Sequence, residues 1–318
     1  MDWKNRRIDA LLEQALLEDK AVSDTTTRLT IDPDLRATAT IVARQELVVA
    51  GLGCIPGFLE IFARLDKQTS KPARYEVISH PEIFDGVRAH DGQSLAVIRH
   101  NARALLSCER VILNLMQHLS GIATLTRQYA DKIAGTTAHV LDTRKTVPGL
   151  RALDKYAVLC GGGTNHRLDL SDGILIKNNH IALGGGVPKV LTAALAGRKP
   201  GQRVQIEVRN TKELEDALKF GAEAILLDNM TPDQVKTAIE RIKEFVTARE
   251  AAKPAKAATS PKTTRELSAW IPTEASGGIV LDNIRSYALT GVDFISVGAL
   301  THSAKAADIS MRITAESR

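Results

Sequence analysis

The hydrophobic positions change rhythm along the chain. In the opening segment, MDWKNRRIDALLEQALLED, apolar residues recur every three to four positions, which predicts an amphipathic helix. From Ala37 to Gln45 the run ATATIVARQ alternates apolar and polar residues. RYEVISH and QSLAVIRH keep the same two-residue period between turn signals such as HDGQ, so each is expected as a half-buried strand. From Ala104 to Ala134, Leu, Ile, Met and Ala return at helical spacing and predict one or two helices. The first hundred residues therefore read as a mixed α+β region.

Beyond residue 136 the pattern becomes strand, then helix, repeated. The strand runs are AHVLDT, GILIKN, VQIEVRN, AILLDNM, EASGGIV and FISVGAL, and helical patterns such as GVPKVLTAALAG, TKELEDALKFG, TPDQVKTAIERIKEFV and LDNIRSYALTG follow them. Thr231, Pro232 and Gln234 mark one helix start by their chemistry: a hydroxyl cap, a proline at the first helical position and a glutamine three residues after the cap. Repeated βα units imply a parallel sheet, and this many in succession most simply close into a barrel, whose chemistry gathers at the strand C-terminal ends. One interval is too long. Ile206 to Ile225 is 19 positions and Ala275 to Ile295 is 20, but Ile225 to Ala275 is 50. Most of the excess is AREAAKPAKAATSPKTTREL, expected as an insertion over residues 248–270 that extends a helix and then runs as an exposed loop, on the helix side and away from the rim.

Composition narrows the picture. A chain of 318 residues can hold a barrel-sized core with a smaller companion, and 44% hydrophobic with 25% charged residues is ordinary for a soluble globular protein. The net charge of +5 favours an anionic partner: nucleic acid, a membrane surface or a small anion. Aromatic residues make up only 4% and do not interleave with the basic ones, which argues against a single-strand nucleic-acid surface built on stacking. Cys54, Cys108 and Cys160 are odd in number and widely spaced, so neither a disulfide framework nor a metal knuckle is expected, and Cys160 is read as packing. The most apolar early run, Leu47 to Leu59, is interrupted by Gly51, Gly53, Pro56 and Gly57, and reads as neither signal peptide nor membrane span. A cytoplasmic protein without membrane or nucleic-acid partners is the expectation.

The candidate chemistry sits where the strands end. LDTRKTVPGLR places Thr143, Arg144, Lys145 and Arg151 in eleven residues whose only acid is Asp142; GGGTNHR adds His166 and Arg167, and ILIKNNH adds Lys177. Taken singly, a strand-end charge is usually a helix cap or a solvated side chain. As a set, Arg144, His166, Arg167 and Lys177 suit a multiply negative planar ligand, because guanidinium forks bind carboxylates bidentately and lysine supplies a point charge. Glu207 and Asp228 read as the only acids reaching the same rim from neighbouring strands. They could neutralise the cations or hold Mg²⁺ against a diphosphate. The turn Ser276, Gly277, Gly278, with Gly298 after the last strand, has the look of a phosphate cradle. Carboxylates, diphosphate and monophosphate together suggest a phosphoribosyl donor.

At these residues the chain resembles a known family, the quinolinate phosphoribosyltransferases, or nicotinate-nucleotide pyrophosphorylases (carboxylating). The resemblance rests on EDKAVSDTT, ERVILNLMQHLSGIAT, LDTRKTVPGLR, KYAVLCGGGTNHRLDLSDGILIKNNHI, IEVRN, LLDNM, ASGGI and GVDFISVGALTHS, in order along nearly the whole chain. It implies an N-terminal α/β sandwich domain, here 1–115 and joined by 300–318, and a C-terminal open α/β barrel of about seven strands, here 116–299. It implies phosphoribosyl transfer from phosphoribosyl pyrophosphate to quinolinate with loss of CO₂, giving nicotinate mononucleotide and diphosphate in NAD biosynthesis. Motif by motif, it implies quinolinate contacts from Thr143, Arg144, His166, Arg167 and Lys177, with Arg110 reaching the site of the other subunit of a homodimer. It further implies a catalytic and donor-binding set of Lys145, Glu207 and Asp228, with Mg²⁺ on the two acids, and a 5′-phosphate cradle of Ser276, Gly277, Gly278 and Gly298. Arg209 in IEVRN departs from the pattern and is read as a surface charge ahead of an added donor contact.

Three rival readings make different predictions. A barrel aldolase would use Lys145 or Lys177 as a Schiff-base amine of lowered pKa. A nucleic-acid-binding protein would bind in a salt-sensitive way without turnover and has no use for Glu207 and Asp228. A related phosphoribosyltransferase would act on a different pyridine acid.

Overall fold

The computed structural model describes residues 1–66, 74–252 and 270–316. These form two compact units: Met1–Gln128 with Lys145–Gly163 and Ala299–Arg318, and Tyr129–Arg144 with Thr164–Gly298.

The first unit opens with α1 (Arg6–Glu18), whose Ile8, Leu12 and Leu16 bury one stripe and whose N-cap Asn5 accepts from the Arg7 N–H. α2 (Thr25–Thr30) leads into β1 (Arg36–Ala43), where Ala37, Ala39, Ile41 and Ala43 point inward in strict alternation. β2 (Leu47–Val48) is followed by α3 (Cys54–Leu65). The glycines and Pro56 that break the apolar run in sequence lie before this helix or in its first turn, where a proline lacks no partner. β3 (Glu76–Ile78), β4 (Arg88–Ala89) and β5 (Ser94–Asn101) complete the strands before α4 (Ala102–Lys132).

α4 is one continuous 31-residue helix, and its buried positions run through Ile112, Met116, Leu119 and Ala123 without a break. A boundary drawn at residue 115 falls inside it, and so does the compact division, which lies after Gln128. Residues 145–163, assigned from sequence to the barrel, also compact with the first unit.

β6 (His139–Leu141) starts the second unit, and α5 (Arg151–Cys160) belongs to the first. β7 (Ile174–Ile176), α6 (Asn178–Gly184), α7 (Val187–Gly197), β8 (Val204–Val208), α8 (Thr211–Lys219), β9 (Ala224–Asp228) and α9 (Pro232–Ala251) continue the repeat. β10 (Thr273–Ser276), α10 (Ile284–Ala288) and β11 (Phe294–Ser296) finish it. α11 (Ala299–His302) packs on α5, and β12 (Ile309–Ala315) pairs antiparallel with β1, giving the first unit a sheet of order β12-β1-β5-β3.

The second unit holds one parallel sheet of order β6-β11-β10-β9-β8-β7, six strands whose edge members do not pair with each other. A seventh strand is reduced to a single parallel bridge between Leu141 and Thr164. This is the open α/β barrel expected. α9 begins with the expected cap: the Thr231 N–H donates to Gln234 Oε1 at 2.8 Å while Thr231 Oγ1 accepts from the Gln234 N–H at 3.3 Å. Of the 248–270 insertion, the helix extension reaches Ala251, and 253–269 lie outside the described residues.

Candidate active site

Residues two apart on a strand share a face, and parallel partners sit side by side on it. The ladder pairs Leu175 with Gln205, Glu207 with Leu226, Leu226 with Glu274, and Glu274 with Phe294. One face of the sheet therefore collects Gln205, Glu207, Leu226, Asp228, Glu274, Ser276 and Ser296. Side-chain bonds span it: Gln205 Nε2 donates to Glu274 Oε2 at 2.7 Å, and Ser296 Oγ donates to Glu274 Oε1. Period-two alternation thus brings strand-end residues of different βα units together.

The acids form one cluster. Glu207 is only 7% exposed. Burial pushes its carboxyl above the usual carboxylate range and neighbouring Asp228 pushes the same way; the Asn178 N–H at 3.4 Å and the charges of Lys177 and Arg209 pull it back. Asp228 Oδ2 accepts from Asn229 Nδ2 at 2.9 Å, and the Asn229 N–H donates to the Ser276 carbonyl at 2.8 Å. Ser276 is also the ladder partner of Asp228, so the Ser276–Gly278 turn lies beside the acids. Gly277, at φ 95°, has to be glycine, because a Cβ there would stand 2.2 Å from Asn229 Oδ1. Gly298 follows β11 at the same strand end.

The residues present fit a divalent cation. Two carboxylates held together, one with its charge disfavoured, are relieved by a hard cation, and Mg²⁺ takes one or two carboxylates plus oxygens from water and substrate. Among the described residues no group of three or more His, Cys, Asp or Glu is arranged to hold a metal.

The cations form a second cluster. The Arg167 guanidinium is half-buried, and burial first, then the positive charge of Arg144, push its pKa down while Asp172 pushes it up. Two guanidiniums in this proximity call for an anion. Thr143 is half-buried beside them in sequence. His166 lies at the junction: its N–H donates to Asp142 Oδ1 at 2.8 Å, its Nδ1 accepts from the Arg167 N–H at 2.7 Å, and its Nε2 lies 3.3 Å from Glu274 Oε2. With Nδ1 accepting, the ring's donor is Nε2, the atom that faces Glu274. The imidazole joins the cluster as a bridge between the Arg167 peptide and Glu274.

Glu274 was not anticipated. Sequence reasoning left Glu207 and Asp228 as the only acids on this face, but Glu274 is a third, 3% exposed and one layer below Ser276. Burial pushes its pKa up, and the hydrogen bond and electrostatic attraction of His166, with hydrogen bonds from Ser296 and Gln205, more than offset that, holding it below the usual carboxylate range. Asp142, fully buried, was likewise noted only as a neighbour of the cations. The available signal was an acid inside a short apolar strand, between Thr273 and Ala275.

Lys145 and Arg110 belong to the first unit, and both are exposed. The Lys145 carbonyl accepts from Thr301 Oγ1 at 2.7 Å. Arg209 is exposed, its N–H donates to Glu213 Oε2 at 2.8 Å, and its guanidinium stands 3.6 Å from Glu213 Oε1, while its charge still reaches Glu207.

Comparison with known proteins covers both units. Residues 24–120 match the family described as quinolinate phosphoribosyl transferase, N-terminal domain, and 122–312 match its C-terminal domain. The chain is 39% identical over 308 residues to the probable nicotinate-nucleotide pyrophosphorylase [carboxylating] of Bacillus subtilis (strain 168), covering 97% of this chain and 94% of that one. It is 39% identical to the nicotinate-nucleotide pyrophosphorylase [carboxylating] of Mycobacterium leprae (strain TN), covering 94% and 95% respectively. The crystal structure of NadC from Streptococcus pyogenes superposes with a TM-score of 0.82 at 34% identity, covering 100% of both chains.

Proposed function

The chain belongs to the quinolinate phosphoribosyltransferase family, and on that premise we propose how its residues divide the work. The enzyme transfers phosphoribosyl from phosphoribosyl pyrophosphate to quinolinate with decarboxylation, yielding nicotinate mononucleotide, CO₂ and diphosphate in NAD biosynthesis.

In our reading Arg144, Arg167 and Lys177 bind the two carboxylates of quinolinate, with Thr143 and His166 lining the same pocket. The observation that carries it is the Arg144–Arg167 pair, a like-charge arrangement that a dianion stabilises. Glu207 and Asp228 hold the donor and Mg²⁺, Lys145 faces the leaving diphosphate, and Ser276, Gly277, Gly278 and Gly298 cradle the 5′-phosphate. The partner subunit's Arg110 completes the quinolinate pocket of a homodimer; its exposure on α4 supports that role. A cytoplasmic location is part of this reading, supported by three free cysteines. No helix of the described residues is long and apolar enough to cross a membrane.

The ring nitrogen of quinolinate attacks the anomeric carbon as diphosphate departs. Positive charge grows on the sugar ring, and Glu207 and Asp228, on the same face, stabilise it. Bound Mg²⁺ supplies charge neutralisation for the diphosphate. Once the nitrogen is alkylated and cationic, the adjacent carboxylate leaves as CO₂, because the electron pair left behind sits beside that positive charge, and a proton from solvent then takes up that pair to form the ring C–H. The arginines orient both carboxylates without holding the departing one too tightly.

Incubation with phosphoribosyl pyrophosphate, Mg²⁺ and quinolinate is expected to release CO₂ and form nicotinate mononucleotide, with nicotinate itself a poor acceptor. Turnover of nicotinate without CO₂ would favour the reading as a related phosphoribosyltransferase. The aldolase and nucleic-acid readings are displaced by the family.

A further inference from the structure

We propose that Glu274 is a positioning residue for the diacid pocket, acting through His166 to fix the peptide that presents Arg167. The proposal rests on the reading that Arg167 grips a substrate carboxylate.

A carboxylate this deep in the barrel is costly, and an apolar or amide residue would fill the space more cheaply. What only a carboxylate offers is two oxygens that accept and never donate. Three donors converge on them: Ser296 Oγ on Oε1, and Gln205 Nε2 at 2.7 Å and His166 Nε2 at 3.3 Å on Oε2. This sets the direction of the bonds that follow. With its proton drawn to Nε2, the imidazole presents a bare Nδ1, and that atom accepts the Arg167 N–H at 2.7 Å. On the other side, buried Asp142 takes the His166 N–H at 2.8 Å. Two consecutive amides are thereby tied to two buried acids from different strands, β10 directly through Glu274 and Asp142 at the end of β6. The backbone bearing the Arg167 guanidinium cannot shift without breaking one of these bonds.

A glutamine at 274 would turn a donating NH₂ group toward donors, and the imidazole would lose its reason to hold the Nε2–H form. The test is Glu274→Gln, read in two ways. In the substrate-free protein, imidazole ¹⁵N spectra assign the His166 tautomer, with His166→Asn identifying the signal: the wild type is expected as neutral Nε2–H, and Glu274→Gln as a mixture or the Nδ1–H form. In kinetics, the quinolinate KM is expected to rise about tenfold to a hundredfold, the scale of one hydrogen bond to a charged group, while kcat and the KM for phosphoribosyl pyrophosphate change by less than about threefold. Should Glu274→Gln fail to fold, Glu274→Asp keeps the charge, shortens the reach by one methylene and carries the same two readouts. An unchanged tautomer overturns the relay. A changed tautomer with equal rises in both KM values overturns the assignment of Arg167 to the diacid, leaving the relay in place.

Discussion

Arg144 stands close enough to Arg167 for its positive charge to help push the Arg167 pKa down, against the pull of Asp172. Like charges held this way in a half-buried pocket favour an anion bound between them.

That relationship predicts a kinetic split. Arg144→Ala should raise the quinolinate KM by about 30-fold or more, the effect of losing about 2 to 5 kcal/mol from a desolvated ion pair, and Lys177→Ala should act in the same direction. The KM for phosphoribosyl pyrophosphate should stay nearly constant. Steady-state kinetics with each substrate varied in turn checks this; equal loss for the two substrates would refute the division.

Glu207 should show activity and stability pulling apart. Its folded-state pKa is raised, so its protonated form is favoured by folding: that contribution is fully present below the unfolded value of about 4.3 and is lost as pH rises through the folded value. Well above the unfolded value, near pH 7.5, Glu207 therefore costs stability. Glu207→Gln should raise Tm near pH 7.5 and leave it little changed near pH 4, while depressing kcat. Added Mg²⁺ should raise the wild-type Tm more than that of Glu207→Gln, and chelation should abolish turnover. Unchanged turnover in Glu207→Gln would remove Glu207 from catalysis.

Gly277 offers a steric test of the phosphate cradle. With φ at 95° and Asn229 Oδ1 2.2 Å from the position of a Cβ, Gly277→Ala must displace the turn beside Asp228. The KM for phosphoribosyl pyrophosphate should rise about tenfold or more, the consequence of a loss above about 1.4 kcal/mol, with the quinolinate KM far less affected.

Arg110 can be tested by mixing subunits. Arg110→Ala and Arg144→Ala should each be nearly inactive alone. If Arg110 completes the other subunit's pocket, unfolding and refolding the two together should restore about a quarter of wild-type activity, since half the dimers are hybrids and each hybrid has one intact site. No recovery would place Arg110 outside the partner's site.

Much of this molecule is legible along the chain because its signals are local. Short apolar runs alternating with helical patterns located every strand of the parallel sheet, Thr231, Pro232 and Gln234 marked the start of α9, and strand-end polar residues marked Arg144, Lys177, Glu207 and Asp228 as candidates. α3 was hidden because glycine and proline read as breaks, although Pro56 sits where a helix tolerates it. The assignment of α5 to the first unit was hidden because it depends on the element that α5 packs against, α11, far along the chain.

The site divides along the same line. A strand's own alternation dictates which of its residues share a face, since that follows from backbone geometry alone. Which residues of other strands share that face is settled by register, through pairings between positions tens of residues apart: Glu274 beside Leu226, Ser276 beside Asp228. Nothing near Glu274 in the chain announces that Gln205, Ser296 and His166 will converge on it, or that His166 will hold its proton on Nε2. Those facts are made by donors and acceptors that meet only after the strands have paired, and only then does a buried acid acquire the partners that make its charge tolerable.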